Sequence, residues 1–119
     1  MGLLTKRGVT RDQQTDAMEQ ILREGADNAV RGLVESLTKH GIYIEISKSE
    51  EGSLQEKVSW AASALDEGIR KLELRADISD GPEKKSILHK VKRLRTTKER
   101  FVSMAEAVER LRRMRSPKE

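Results

Sequence analysis

With 119 residues, 35% of them apolar and 37% charged, the chain suits one domain but can bury only a narrow core. It has no cysteine, which excludes disulfides and thiolate metal sites, and no apolar run approaches the roughly 20 residues of a membrane-spanning helix. The net charge of +4 is unevenly spread: residues 1–81 carry 11 Lys/Arg against 15 Asp/Glu, and residues 82–119 carry 13 against 5.

The first residues lack the hydrophobic stretch of a secretory signal. Lys6 stands where a myristoylation motif takes Ser or Thr. The expected setting is therefore the cytoplasm, or the nucleus if the cell is eukaryotic or virus-infected. Thr10 and Gln13 have capping-box spacing, and Met18, Leu22, Ala26, Ala29, Leu33 and Leu37 then recur every three or four residues. Ile21, Val30 and Val34 widen this stripe, so the pattern predicts a first helix over about 11–40. Gly41 follows as a left-handed C-terminal cap, and His40 reads as an end residue favourably placed against the helix dipole. Gly25 and Gly32 lie inside the helix and mark a bend or a close approach.

Residues 42–46, Ile-Tyr-Ile-Glu-Ile, alternate as a strand does, yet no second strand candidate exists to pair with them. Two readings stay open. The segment is an apolar linker lying over the bundle, or it pairs with its counterpart in a second copy, which makes Ile42, Ile44 and Ile46 oligomer contacts.

Ser53 and Glu56 form a second capping box, and Leu54, Val58, Ala61, Leu65, Ile69 and Leu72 follow at near coiled-coil spacing. A second helix over about 54–77 is predicted, ending before Asp80-Gly81-Pro82. Trp60 and Leu74 lie off its stripe and face a third helix or a partner, Trp60 being a further candidate oligomer contact. The third helix, about 82–114, places Ile87, Val91, Leu94, Phe101, Ala105 and Val108 on one face, broadened by Leu88, Val102, Met104, Leu111 and Met114. The expected fold is all-α: an elongated antiparallel three-helix bundle forming a single domain over 1–119, with one short extended segment at 42–46.

The two histidines, His40 and His89, belong to no helical metal-ligand motif, and no Gly-rich phosphate loop is present. Glu50 with Glu51 and Asp66 with Glu67 are adjacent acids explained by solvation or local ion pairs. The reading is non-enzymatic, with no cofactor, metal or small-molecule substrate.

The third helix carries the functional signal. Lys85, His89, Lys92 and Arg100 fall opposite its apolar stripe with Thr96 and Ser103 between them, and Lys90, Arg93 and Arg95 flank this line. Lys84 begins the ridge, and Arg110, Arg112, Arg113 and Arg115 extend it, while Lys98 and Arg112 project near the stripe itself. Such a ridge can neutralise phosphates, with Thr or Ser donating hydrogen bonds. With one Trp, one Tyr and one Phe, a base-stacking platform is not expected. Lys90-Val91-Lys92-Arg93 also matches a short nuclear-import pattern.

The leading expectation is a binding and assembly protein, a dimer or larger, that oligomerises through its apolar seams and meets an acidic partner with Lys84, Lys85, Lys90, Lys92, Arg93, Arg95, Arg100, Arg110 and Arg113. The alternative is a DNA- or RNA-binding protein that contacts the phosphate backbone with weak sequence selectivity. A membrane-surface role fits less well, because the face opposite the ridge is needed for the bundle.

Overall fold

The computed structural model describes residues 11–48 and 52–115, and there the chain folds as α1 (Arg11–Lys39), α2 (Leu54–Asp77) and α3 (Gly81–Arg115). Thr10 of the first capping box, Glu50, Glu51 and the 116–119 tail lie outside the described residues, as do the Met114 and Arg115 side chains. The three helices form an elongated bundle of 60 × 28 × 20 Å.

Local chemistry sets the helix ends. At α2 the Ser53 side chain accepts from the Glu56 amide at 3.1 Å, and the Glu56 carboxylate accepts from the Ser53 amide at 2.8 Å. This satisfies two amides that a helix start otherwise leaves open. Helix α1 closes through Gly41 at φ +70°, with the Ile42 amide donating to the Leu37 carbonyl and the Gly41 amide to that of Thr38. That pairing is a Schellman turn. Gly81 at φ +60°, just before Pro82, opens α3.

The cross-helix contacts fix the topology. Asp66 meets Lys98, Glu73 meets Arg95, Asp16 and Glu19 meet Arg112, and Gly25 faces the Phe101 ring, so α3 runs antiparallel to both other helices. Along α1 and α2, Arg23 meets Gly52, Asp27 meets Lys57 and Leu33 meets Gly68. Both numbers rise together, so these two helices run parallel.

This differs from the turn-back that a short connection would give. The residues between Lys39 and Leu54 reach about 45 Å when extended, enough to retrace the roughly 36 Å of α2. The chain uses that reach as a crossover. Ile42, Ile44 and Ile46 are half-buried against the core while Tyr43, Glu45 and Ser47 face outward. The Trp60 indole N–H donates to the Ser47 carbonyl at 2.9 Å and fastens the segment to α2. The strand-like alternation therefore comes from packing on one side only, and Trp60 turns to this strap, not to a third helix.

The core has two parts. The larger joins Ala26, Val30, Leu33 and Leu37 of α1 to Ala61, Leu65, Ile69 and Leu72 of α2 and to Ile87 and Val91 of α3. The smaller, nearer the α2 N-terminus, joins Leu22, Leu54, Val58, Ala105 and Val108, with Met18 and Phe101 against it. Several residues expected to widen the stripes stay largely in solvent: Ile21, Val34, Leu88, Val102 and Met104 are exposed, as is Leu74. They are scattered, as single surface apolar residues usually are.

Lys57 is the exception to an apolar seam. It sits on the buried face of α2 between Leu54 and Ala61, only 3% exposed. Its ammonium pairs with Asp27 at 2.8 Å and lies 5.1 Å from the centroid of the Trp60 ring. A charge can be buried only when it is compensated in this way. Replacing Asp27 by Ala should therefore destabilise the fold more than replacing Lys57 by Met, by about 1–3 kcal/mol in urea unfolding. Equal losses would mean that the pair is not what keeps the ammonium buried.

The glycines separate by cause. A Cβ on Gly68 would stand 2.5 Å from Leu33 Cδ1, and one on Gly25 would stand 3.2 Å from the Phe101 ring, so both mark close helix approaches. A Cβ on Gly32 would meet nothing within 4 Å. Gly68→Ala should lower stability by about 1–3 kcal/mol through overpacking. Gly32→Ala should raise it by up to about 1 kcal/mol through helix propensity. Thermal melts followed by circular dichroism check both signs.

Candidate polyanion interface on α3

Helix α3 is 35 residues long and anchors itself through one apolar stripe, so most of its circumference is left to solvent. Its cations fall into two groups according to how near that stripe they stand.

The inner group is neutralised. Lys98 donates to both Asp66 carboxylate oxygens at 2.8 and 2.9 Å. Arg112 bridges Asp16 at 3.2 Å and Glu19 at closer range, and Glu19 is also held by Arg23 at 2.8 Å. Both cations were expected beside the stripe, and both find acids on neighbouring helices. Arg95 was expected on the ridge but turns to Glu73 of α2. The sequence offered no cue to this partner, because which residue of α2 lies beside Arg95 depends on how the two helices are set against each other. Arg113 lies 3.9 Å from Glu109 on its own helix, a weak and solvated contact.

The outer group is open. Lys84, Lys85, Lys92, Arg93, Arg100 and Arg110 are exposed and Lys90 is half-buried. None of the seven has an ion pair among the described residues. From Lys84 to Arg110 this face extends about 39 Å at the helical rise. His89 is exposed between Lys85 and Lys92. Thr96 does not act as the expected donor: its hydroxyl already donates to the Lys92 carbonyl at 3.1 Å, as Thr97 does to Arg93 at 3.0 Å. Attraction along the ridge therefore comes from its cations, with Ser103 as the remaining exposed hydroxyl in the line.

The other sequence-predicted residues lie elsewhere. Ile42, Ile44, Ile46 and Trp60, the expected oligomer contacts, pack against the core of their own chain. Beside them a recess of about 490 Å³ opens between the strap and α2, rimmed by Glu45, Glu56 and Glu67 with Ser59 and Ser63. His40 is half-buried at the end of α1. Among the described residues no three His, Asp or Glu side chains gather where they could hold a metal ion, and no helix is long and apolar enough to cross a membrane.

Glu19 is held between two guanidinium groups, those of Arg23 and Arg112. Burial raises its pKa, but the hydrogen bond from Arg23 and the charge and hydrogen bond of Arg112 outweigh that and hold it below its ordinary value. The folded state thus favours the carboxylate. Its contribution is complete above the unfolded value of 4.5 and is lost as pH falls through the lower folded value. Glu19→Gln should accordingly lose less stability than wild type between about pH 6 and pH 3 in urea unfolding. An unchanged pH slope would mean that the Arg23–Glu19–Arg112 cluster does not couple to folding.

No protein-family model matches the chain, and neither the curated proteins nor the solved structures compared with it include a match.

Proposed function

We propose that the chain is a non-enzymatic helical binding protein whose outer α3 face contacts the phosphate backbone of a nucleic acid. One observation carries this reading: Lys84, Lys85, Lys92, Arg93, Arg100 and Arg110 are exposed and, with the half-buried Lys90, have no ion pair among the described residues, while Arg95, Lys98 and Arg112 are matched by acids of α1 and α2. A charged face that merely kept the bundle soluble would need neither that length nor one dominant sign.

The arrangement favours phosphate over base edges. The ridge runs along most of a bundled helix, its ammonium groups acting as point charges and its guanidinium groups able to fork onto phosphate oxygens. The chain's one Phe is half-buried in the smaller core cluster and its one Trp is fastened to the strap, so stacking on bases has little support. Binding should therefore be steep in salt and weak in sequence preference.

Assembly of copies through the helical seams has less support, since the stripes on all three helices are spent on one another. The acidic-protein reading rests on the same cations, and the same experiment separates it from nucleic acid.

Fluorescence anisotropy with a mixed-sequence DNA duplex, and in parallel with the RNA duplex, tests the proposal. If four or five phosphates are neutralised, affinity should fall on the order of 10²–10³-fold between 50 and 200 mM salt. Lys85→Glu combined with Lys92→Glu should abolish binding and leave the helical circular dichroism unchanged. A wild-type chain that ignores both duplexes at low salt would remove nucleic acid as the partner. Light scattering on the same samples reads the number of copies in the complex.

A further inference from the structure

Gly32 is the described glycine whose place the fold does not explain. Gly68 and Gly25 sit at close helix approaches, Gly41 and Gly81 have positive φ, and a Cβ on Gly52 would overlap the Glu56 cap. Gly32 stands exposed in the middle of α1 with a helical backbone and open space where its Cβ would be. Leaving it as glycine weakens the helix with no return inside the bundle.

That open space is part of a groove. Between α1 and α3 a depression of about 220 Å³ is lined by Asn28, Gly32 and Ser36 on one wall and by Lys90 and Arg93 on the other, over an apolar floor that includes Leu94. Among the described residues no carboxylate lines it. Neither Lys90 nor Arg93 has an ion pair among the described residues, although Lys90 is half-buried. The groove is thus a recess with two uncompensated cations, an amide and a hydroxyl, next to a helix backbone without a side chain. A glycine at such a point lets a bulky ligand approach the backbone closely.

We propose that this groove seats one phosphate–sugar unit of the nucleic-acid strand that follows the α3 ridge, gripped by Lys90 and Arg93 across the backbone at Gly32. This rests on the reading of α3 as a phosphate-binding face. It adds that α1 supplies part of the site and that the strand is held between two helices at this point. The charge decides the occupant: a groove with two free cations and no acid favours a phosphate, whereas a packing helix would have to bury Lys90 and Arg93 against apolar surface.

Gly32→Leu fills the groove without touching a charge, and Ser36→Glu places a carboxylate within it. Thr38→Glu, exposed farther along α1, is the control for net charge. Each variant is measured by duplex anisotropy alongside wild type and the Lys85→Glu/Lys92→Glu chain. Gly32→Leu should melt no lower than wild type, weaken duplex binding about tenfold and reduce the salt slope by about one. Ser36→Glu should weaken binding at least as much, and Thr38→Glu less than about threefold. If Gly32→Leu lowers the melting temperature, Ser36→Glu against Thr38→Glu decides alone.

A wild-type chain that fails to bind either duplex overturns the ridge reading and the groove with it. Wild type that binds and loses binding on Lys85→Glu/Lys92→Glu, while the Gly32 and Ser36 variants bind unchanged, overturns the groove alone.

Discussion

Leu33 seated against Gly68 sets how closely α1 and α2 approach, and α3 must close over the seam that this approach leaves. In a chain with 35% apolar residues each helix has one stripe to contribute, so no helix can be buried on two sides. The three stripes have to meet along their length, which gives a long and thin molecule in place of a round one. The parallel run of α1 and α2 demands the crossover. With α1 and α2 parallel, the connection must travel back along the bundle, and the cheapest path is one on which every second residue covers the core. Ile42, Ile44 and Ile46 follow that path, and the Trp60–Ser47 hydrogen bond holds its far end.

The division of charge on α3 follows from the same narrow seam. Cations that flank the stripe come within reach of the neighbouring helices, and there Asp66, Glu73, Asp16 and Glu19 meet them. Most of these pairs are at least partly exposed, so each adds only about 0–1 kcal/mol. Their larger effect is on register. An α3 displaced by one turn would set Lys98 and Arg95 away from their acids. Cations farther round the helix, Lys90 and Arg93 beside α1 included, have no ion pair among the described residues.

Much of this was legible in the residues. The Ser53–Glu56 box and Gly41 placed two helix ends, because capping depends on positions three or four apart. The apolar stripes gave the core face of every helix, since periodicity is local too. The place of Lys98 and Arg112 beside the stripe allowed either pairing with acids of a neighbouring helix or snorkelling past it, and both cations pair. What stayed hidden depends on how one helix lies against another: the parallel run of α1 and α2, the Glu73 partner of Arg95, and the tight fit at Gly68. Lys57 had left a trace, a cation three residues after Leu54 and four before Ala61 on an apolar face, but nothing local names Asp27 as its partner. The groove beside Gly32 was half visible, as a glycine inside a helix read as a bend or a close approach, whereas a Cβ there would meet nothing within 4 Å. Its opposite wall comes from residues about 60 positions later in the chain.

Rigidity is what joins the fold to the proposed activity. The unpaired cations stand on a helix braced by two others through both core clusters, so the backbone positions that carry them are set by the fold. The backbone ordering that a disordered basic segment undergoes on binding is already complete in the fold, and only side-chain freedom remains to be lost. A fixed row of cations also rewards a partner whose charges recur at regular intervals along a stiff axis. Backbone phosphates on a duplex have that regularity. The acids of a flexible peptide do not, and would have to be ordered at the moment of contact. The proposed partner, a stiff polyanion, therefore suits the α3 face that the thin core leaves exposed better than a flexible acidic chain would.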